Sequence, residues 1–366
     1  MVAWFLPSHI SIFIIAGMSN MEKYLLAPYV SCGFCNNELD IGFGSILITI
    51  TDKIDQEAYL KATFFIKNPR TLNEFKEFIF NETRANNKEL VYENFILKNF
   101  LIKENAYDPD ERYSRDHLFY NLSGADPKVA QKKLESKHVV ILGCGGIGNI
   151  IATNLATSGI GKLTLVDNDD IELSNLTRQI LFCEADVGNK KTSTLKEALL
   201  SRNNNVSIDT LNIICDSQEK IKQLPACDLI VASGDSDNIC IYLNKYSFSN
   251  KIPFVNVGYI QDIACWGPFI IPGKTSCFEC FSCNNIANQE NELQFLIEGI
   301  NKGYKAPSFG GINMLAAASA TLDIIKYLGE FGEIQSLNKR VGIWTDTLKI
   351  EYQTYQQNPE CTLCAQ

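Results

Sequence analysis

The chain has 366 residues, of which 46% are hydrophobic and 20% charged, and its formal net charge is −9. This length suits one large or two modest domains with a sizeable core, in a soluble globular protein. The acidic balance argues against nucleic acid or an acidic membrane surface as a general partner. Thirteen cysteines, an odd number, fit a disulfide framework poorly. They suit reduced thiols in the cytoplasm, some of them recruited by a metal. The three histidines, His9, His117 and His138, leave Ser-His-Asp or Cys-His chemistry without an obvious base.

In chain order, residues 1–20 contain an apolar run, Ile10 to Ala16, that is too short to span a bilayer. No Lys or Arg precedes it, so it makes a poor signal peptide. The segment reads as an extension or a mis-assigned start ahead of Met21. Residues 21–105 mix the apolar runs Ser45 to Thr51 and Ala62 to Ile66 with a helix-like stretch from Leu72 to Ile79, as expected of a small α+β module. Residues 106–127 carry Pro109 and Pro127 and read as a linker with a short helix around Ser114 to Leu122.

From 128 to 366 the pattern alternates. Strands are expected at His138 to Leu142, Lys162 to Asp167, Ser207 to Ile213, Asp228 to Ser233 and Pro253 to Gly258, with His138 in a structural role. Helices are expected at Gly146 to Ser158, Lys190 to Arg202 and Asp237 to Ser249. Ile263 to Ile271, a polar segment at 284–306, a small-residue helix at 311–328 and a last strand near 348–353 complete the chain. Such alternation implies an α/β fold, Rossmann-like, with a mainly parallel sheet covered on both faces.

Gly143-Cys144-Gly145-Gly146-Ile147-Gly148 follows a strand and opens a helix. The first glycine permits a tight turn, the next lets the backbone approach a phosphate, and the last lets helix and strand pack closely. Backbone N–H groups at the helix start favour an anion. Asp167 lies 19 residues after Gly148, at the end of the next strand, where a carboxylate accepts ribose hydroxyls. These features indicate a nucleotide without choosing NAD or a triphosphate.

The choice comes from Asp169, from Ser174-Asn175-Leu176-Thr177-Arg178-Gln179 and from Val187-Gly188-Asn189-Lys190-Lys191. An oxidoreductase has no evident use for Asn175, Arg178 and Lys191 together. Displacement at an α-phosphate does, because charge develops on the non-bridging and leaving oxygens. Asp235 follows a strand at its carboxyl end and suits Mg²⁺. Singly, Arg178 reads more readily as a surface ion pair, Lys191 as a solvated helix residue and Asp235 as a helix cap. It is their joint placement that favours the triphosphate.

Two Cys-x-x-Cys pairs, Cys277/Cys280 and Cys361/Cys364, have the spacing of a four-thiolate zinc site. With no open coordination position, such a metal is structural. Cys283 reads as a bystander, and Cys32/Cys35 as fortuitous because its zone holds no second pair.

Together GCGGIG, Asp167, SNLTRQ, VGNKK, Asp235 and the paired cysteines resemble the adenylate-forming superfamily of ThiF, MoeB and the ubiquitin-activating enzymes. Stretches such as RYSRDHLFY, LATSGIGKLTLVDND and GYIQDIACWGPFIIPGKTSC resemble, more narrowly, the MccB family of peptide adenylyltransferases from microcin C biosynthesis. This resemblance implies a substrate, a short ribosomal peptide ending in asparagine, and activation of its carboxylate by ATP, or CTP in some relatives. An acyl-adenylate, a succinimide and a second triphosphate would then give an N–P bond. It also implies a homodimer in which Arg115 reaches the partner's nucleotide, a crossover loop at 284–306 and an N-terminal peptide clamp. It casts Asn175, Arg178 and Lys191 as triphosphate residues, Asp167 as the ribose ligand and Asp235 as the magnesium ligand.

Relatives that form thioesters or persulfides use a cysteine in or near that loop, and none occurs here between Cys283 and Cys361. Adenylation of a Gly-Gly-tailed sulfur carrier, an NAD-dependent oxidoreductase and a catalytically silent partner subunit are the rival readings.

Overall fold

The computed structural model describes residues 21–234, 238–282, 294–303 and 306–365. The chain divides into two compact units, Met1–Gln131 and Lys132–Gln366.

In the first unit β1 (Lys23–Leu26) forms the centre of a small antiparallel sheet. A second sheet is built from β2 (Cys32–Cys35), β3 (Glu38–Ile41) and β4 (Ile48–Ile50). The β2–β3 hairpin turns at Asn36-Asn37, both at positive φ (50° and 65°), a conformation asparagine tolerates better than most residues. Three helices follow: α1 (Lys53–Phe65), then after the short β5 (Arg70–Thr71) α2 (Leu72–Glu82), and α3 (Lys88–Leu97). Each has a defined start. Asp52 caps α1, Thr71 and Glu74 form a capping box on α2, and Asn87 caps α3. The run Ala62 to Ile66 thus closes α1, and its Ala62 and Ile66 are fully buried.

β6 (Leu101–Lys103) pairs with β1, giving the order β5-β1-β6. Phe75, Phe95 and Phe100 interlock edge to face at the centre of this unit. Residues 106–127 include α4 (Ser114–Leu122), whose Leu118 packs into the same core. α5 (Pro127–Glu135) carries the chain into the second unit.

That unit is a mixed eight-stranded sheet of order β14-β13-β12-β11-β10-β7-β8-β9. It is assembled from β7 (His138–Leu142), α6 (Gly146–Thr157), β8 (Lys162–Val166), α7 (Lys191–Leu200) and β9 (Ser207–Leu211). Next come α8 (Gln218–Ile221), β10 (Leu229–Ala232), α9 (Ile239–Asn250), β11 (Phe254–Ile260) and β12 (Ile263–Ile270). α10 (Phe278–Ser282), α11 (Gln294–Asn301), α12 (Gly310–Gly329), β13 (Lys339–Trp344) and β14 (Ile350–Thr354) complete it. The five strands β11, β10, β7, β8 and β9 run parallel, whereas β12, β13 and β14 are added antiparallel. β7 and β10 are buried along nearly their whole length, as strands covered on both faces must be.

His138 is structural. Its Nδ1–H donates to the Ala226 carbonyl and its Nε2 accepts from the Thr164 hydroxyl, each at 2.8 Å. α12 packs on α6 and on β11 and β12, and its Ala316, Ala317 and Ala320 are fully buried. Its buried Asp323 accepts from Trp266 Nε1, the Gln335 and Ser336 amides and the Ser336 hydroxyl, at 2.6–3.1 Å. A carboxylate satisfied four times over can be buried and pins α12 to β12. Among the described residues no helix is long and apolar enough to cross a membrane.

Candidate active site

Strand order reverses between β7 and β10, and in open α/β sheets such a switch point opens a crevice at the carboxyl ends. Gly143 lies there with φ of 89°, and a Cβ on it would stand 2.8 Å from Gly234 Cα at the end of β10. Ser233 Oγ donates to the Leu142 and Gly143 carbonyls at 3.0 and 3.1 Å, tying the two strand ends together. A Cβ at Gly148 would fall 1.8 Å from the Gly143 carbonyl oxygen, so α6 rests directly on the turn. One at Gly145 would meet nothing closer than 3.9 Å. The bare Gly145 therefore keeps the crevice open rather than relieving a clash. It is also the N-cap of α6, and no side chain caps the helix there. The first N–H groups of a helix left in this way favour an anion.

Asp167 follows β8 and braces the turn. Its Oδ2 accepts from the Cys144 amide at 2.7 Å and its Oδ1 from the Asp169 amide at 2.8 Å. Each oxygen keeps a second acceptor site for a hydroxyl. The SNLTRQ stretch forms a 3-10 turn, Leu173–Thr177, fastened by Asn175 Oδ1, which accepts from the Glu172 amide at 3.1 Å. Asn175 is thereby buried, while half-buried Arg178 is steadied by donation from Nη1 to the Ser174 carbonyl at 3.2 Å. Lys191, the first residue of α7, is buried and pairs with Asp169 at 2.7 Å.

These pieces border one cleft of about 480 Å³, and Gly143, Gly145, Gly146, Asp167, Asp169, Asn175, Arg178 and Lys191 all line it. Gly148 stands behind the turn as packing. Asp235 lies outside the described residues, directly after Gly234 of the cleft wall, as do Cys283 and parts of the 284–306 segment. Arg115 is exposed on α4 of the first unit.

Other lining residues escaped sequence reasoning. Buried Asn313, on α12, approaches Gly146 so closely that a Cβ there would lie 2.7 Å from its Oδ1. A lone asparagine in an apolar helix was the available signal. Nothing in the sequence marks Ile213, Ile214 and Cys215, which give the cleft an apolar side suited to a nucleobase. Among the described residues Cys215 is the one cysteine lining the cleft, and burial pushes its thiol up to about 11. It therefore carries less thiolate than an exposed cysteine and is a poorer nucleophile.

Apart from the residues lining the cleft, Cys277, Cys280, Cys361 and Cys364 converge. Sulfur–sulfur distances are 3.5 Å for Cys277–Cys361, 3.3 Å for Cys280–Cys364 and 3.8 Å for Cys277–Cys280, and all four lie within 4.8 Å of one another. Tetrahedral Zn²⁺ with bonds of ~2.3 Å places its thiolates ~3.8 Å apart, so the set fits that ion.

The ThiF family profile matches residues 113–363. The chain belongs to the ThiF family. It is an adenylyltransferase, as its match to the ThiF family and its likeness to E. coli MccB solved with ATP and to a molybdopterin-synthase adenylyltransferase support. Crystal structures of E. coli MccB resemble it along nearly its whole length. The complex with succinimide has a TM-score of 0.85 and 36% identity, covering 93% of this chain and 99% of that one. The complex with AMPCPP and MccA has a TM-score of 0.86 and 34% identity, covering 94% and 100%. The ThiF-family molybdopterin-synthase adenylyltransferase of E. coli K12 is 31% identical over 236 residues, 64% of this chain and 90% of that protein.

Proposed function

We propose that the protein activates the C-terminal carboxylate of a short ribosomal peptide ending in asparagine, and that it carries the product through a succinimide to an N–P linked peptide nucleotide. One observation carries this reading. The likeness to MccB takes in 93–94% of the chain, the first unit included, whereas the molybdopterin-type relative accounts for 64%. The first unit is thus the part that a sulfur-carrier adenylyltransferase leaves unexplained, and a peptide clamp explains it.

A peptide carboxylate is already ionised at neutral pH and needs no general base. One of its oxygens attacks the α-phosphorus in line, the bond to pyrophosphate breaks, and an acyl-adenylate forms. Asp167 holds the ribose, the α6 N-terminus and Asn175 hold phosphate oxygens, and Arg178 and Lys191 balance charge on the departing pyrophosphate. Arg115 of a homodimer partner would add a further cation. Four carboxylates (Asp167, Asp169, Asp170 and Glu172) line the cleft against two cations (Arg178 and Lys191), so a triphosphate needs added positive charge there. Mg²⁺ held by Asp235 would supply it. Asp235→Ala should leave the unfolding midpoint unchanged and reduce turnover below detection; a variant with full activity would remove Asp235 from that role.

The four cysteines would hold structural Zn²⁺ and clip residues 361–364 onto the start of α10. Cys277→Ser should cut bound zinc from one equivalent to well below one. It should also lower the thermal midpoint by roughly 5–10 °C, for a loss of about 3 kcal/mol. Unchanged zinc content would exclude this site.

Function is tested by incubating the protein with Mg²⁺, ATP or CTP, and either an Asn-terminated peptide or a Gly-Gly-tailed carrier. Mass spectrometry then reports the adduct. A stable nucleotidyl peptide made with two triphosphates per product is expected. An adduct on the carrier alone would move the protein to the sulfur-transfer branch, which its 31% identity to the molybdopterin-type relative makes the second reading.

A further inference from the structure

The cleft contains a cation that is already occupied. Lys191 Nζ lies 2.7 Å from Asp169 Oδ2, with the lysine side chain 8% exposed and the aspartate 66% exposed. The two face each other across a short antiparallel strap. Asp170 bridges Lys190, the Lys191 amide donates to the Asp169 carbonyl at 3.1 Å, and the Ile171 amide donates to the Asn189 carbonyl at 2.9 Å. A second ion pair, Lys190–Asp170 at 2.8 Å, flanks the first. Backbone register therefore sets the Lys191–Asp169 contact, rather than chance meeting of two flexible side chains.

The pairing also answers an electrostatic need. Lys191 is the first residue of α7, where the helix end is itself positive, and the first turn of α7 contains no acidic residue. A buried ammonium in that position needs a counter-charge, and Asp169 supplies it across the strap. Meanwhile the Asp169 amide donates to Asp167, which braces the glycine turn, so the carboxylate is held at the cleft rim.

We infer that Asp169 is a positioning residue that holds Lys191 as its counter-ion and yields it when a triphosphate binds. It acts as a built-in competitor for anions. A bare polyphosphate must displace the carboxylate and then face the surplus of acids lining the cleft. A phosphate chain whose charge is already partly neutralised faces less of that opposition. The device selects the charge-neutralised form of the triphosphate over the free anion. It rests on the adenylylation reading above, because it presupposes that a triphosphate occupies this cleft.

The test is calorimetric titration of tripolyphosphate, and of ATP in excess EDTA, into the intact protein and three variants. Asp169→Asn should bind both metal-free anions about threefold to fivefold more tightly than the native protein, the range expected for one partly exposed ion pair. Asp169→Glu should restore the weaker native binding. In a Lys191→Ala background the Asp169→Asn gain should shrink to the small part that removing one of the four cleft acids gives by itself, because most of the aspartate's effect runs through the lysine. Weaker binding by Asp169→Asn would make the carboxylate a direct nucleotide ligand and overturn the inference. So would an unchanged affinity, or an effect that is undiminished without Lys191. Failure of the native protein to bind ATP in the presence of Mg²⁺ would instead overturn the adenylylation reading, and this inference with it.

Discussion

Lys191→Ala should lower the rate of adenylate formation by ~10²–10³, with an unchanged unfolding midpoint. This is the cost typical of removing one preorganised group that meets charge developing in a transition state. Lys191 is suited to a large effect because it is buried at the cleft wall on a backbone fixed by its strap, so once the bound triphosphate has taken it from Asp169 no further reorganisation is needed when pyrophosphate departs. Arg178 is half-buried and steadied by one carbonyl, and Arg178→Ala should fall in the same range or slightly below it. Single-turnover measurement with saturating peptide and ATP separates the chemical step from binding. A Lys191→Ala protein losing less than fivefold in that step would place the developing charge elsewhere.

Gly148→Val should abolish ATP binding and destabilise the fold. The nearest obstacle to a Cβ there is backbone, 1.8 Å away, and α6 cannot retreat without leaving α12. Thermal unfolding and ATP titration should both register the change, with the midpoint falling by ~10 °C or the protein recovered only in insoluble form. Gly33→Ala is the matched control. A Cβ there meets nothing within 4 Å, and both measurements should stay at native values. Even Gly148→Ala should bind ATP poorly; undiminished affinity would show that the turn has slack which the packing denies.

The parallel half of the sheet was legible because its strands are buried on both faces and read as apolar runs between glycine-rich turns. β7 falls where the sequence puts it, and β8 and β10 do so with a residue lost at one or both ends. β13 was not legible. Lys339–Trp344 is mostly half-buried and lacks both a continuous apolar run and clean alternation. The β2–β3 hairpin was missed too, since every residue of β2 is exposed and its turn depends on two asparagines at positive φ.

In the site, spacing alone brought the four cysteines together, because two Cys-x-x-Cys pairs have few other uses. The glycine loop, Asp167, Asn175, Arg178 and Lys191 were legible as residue types, but the contact between Asp169 and Lys191 was not. It depends on strap register between segments 22 residues apart, which no local pattern encodes. The apolar wall at Ile213–Cys215 is hidden for a related reason, since what matters there is where β9 ends relative to β8.

The glycine turn is closed from behind by a residue far along the chain: Gly143 presses on Gly234, and Ser233 bonds back across 91 positions to Leu142. The local β7–α6–β8 unit therefore carries the nucleotide signature without a finished phosphate floor. During refolding, ATP can find its cleft only after β10 has inserted beside β7, a long-range pairing made at the cost of closing a large loop. Nucleotide added to a refolding mixture should accordingly leave the folding rate alone and slow unfolding, because it binds the native state and contributes nothing to the barrier on the way in.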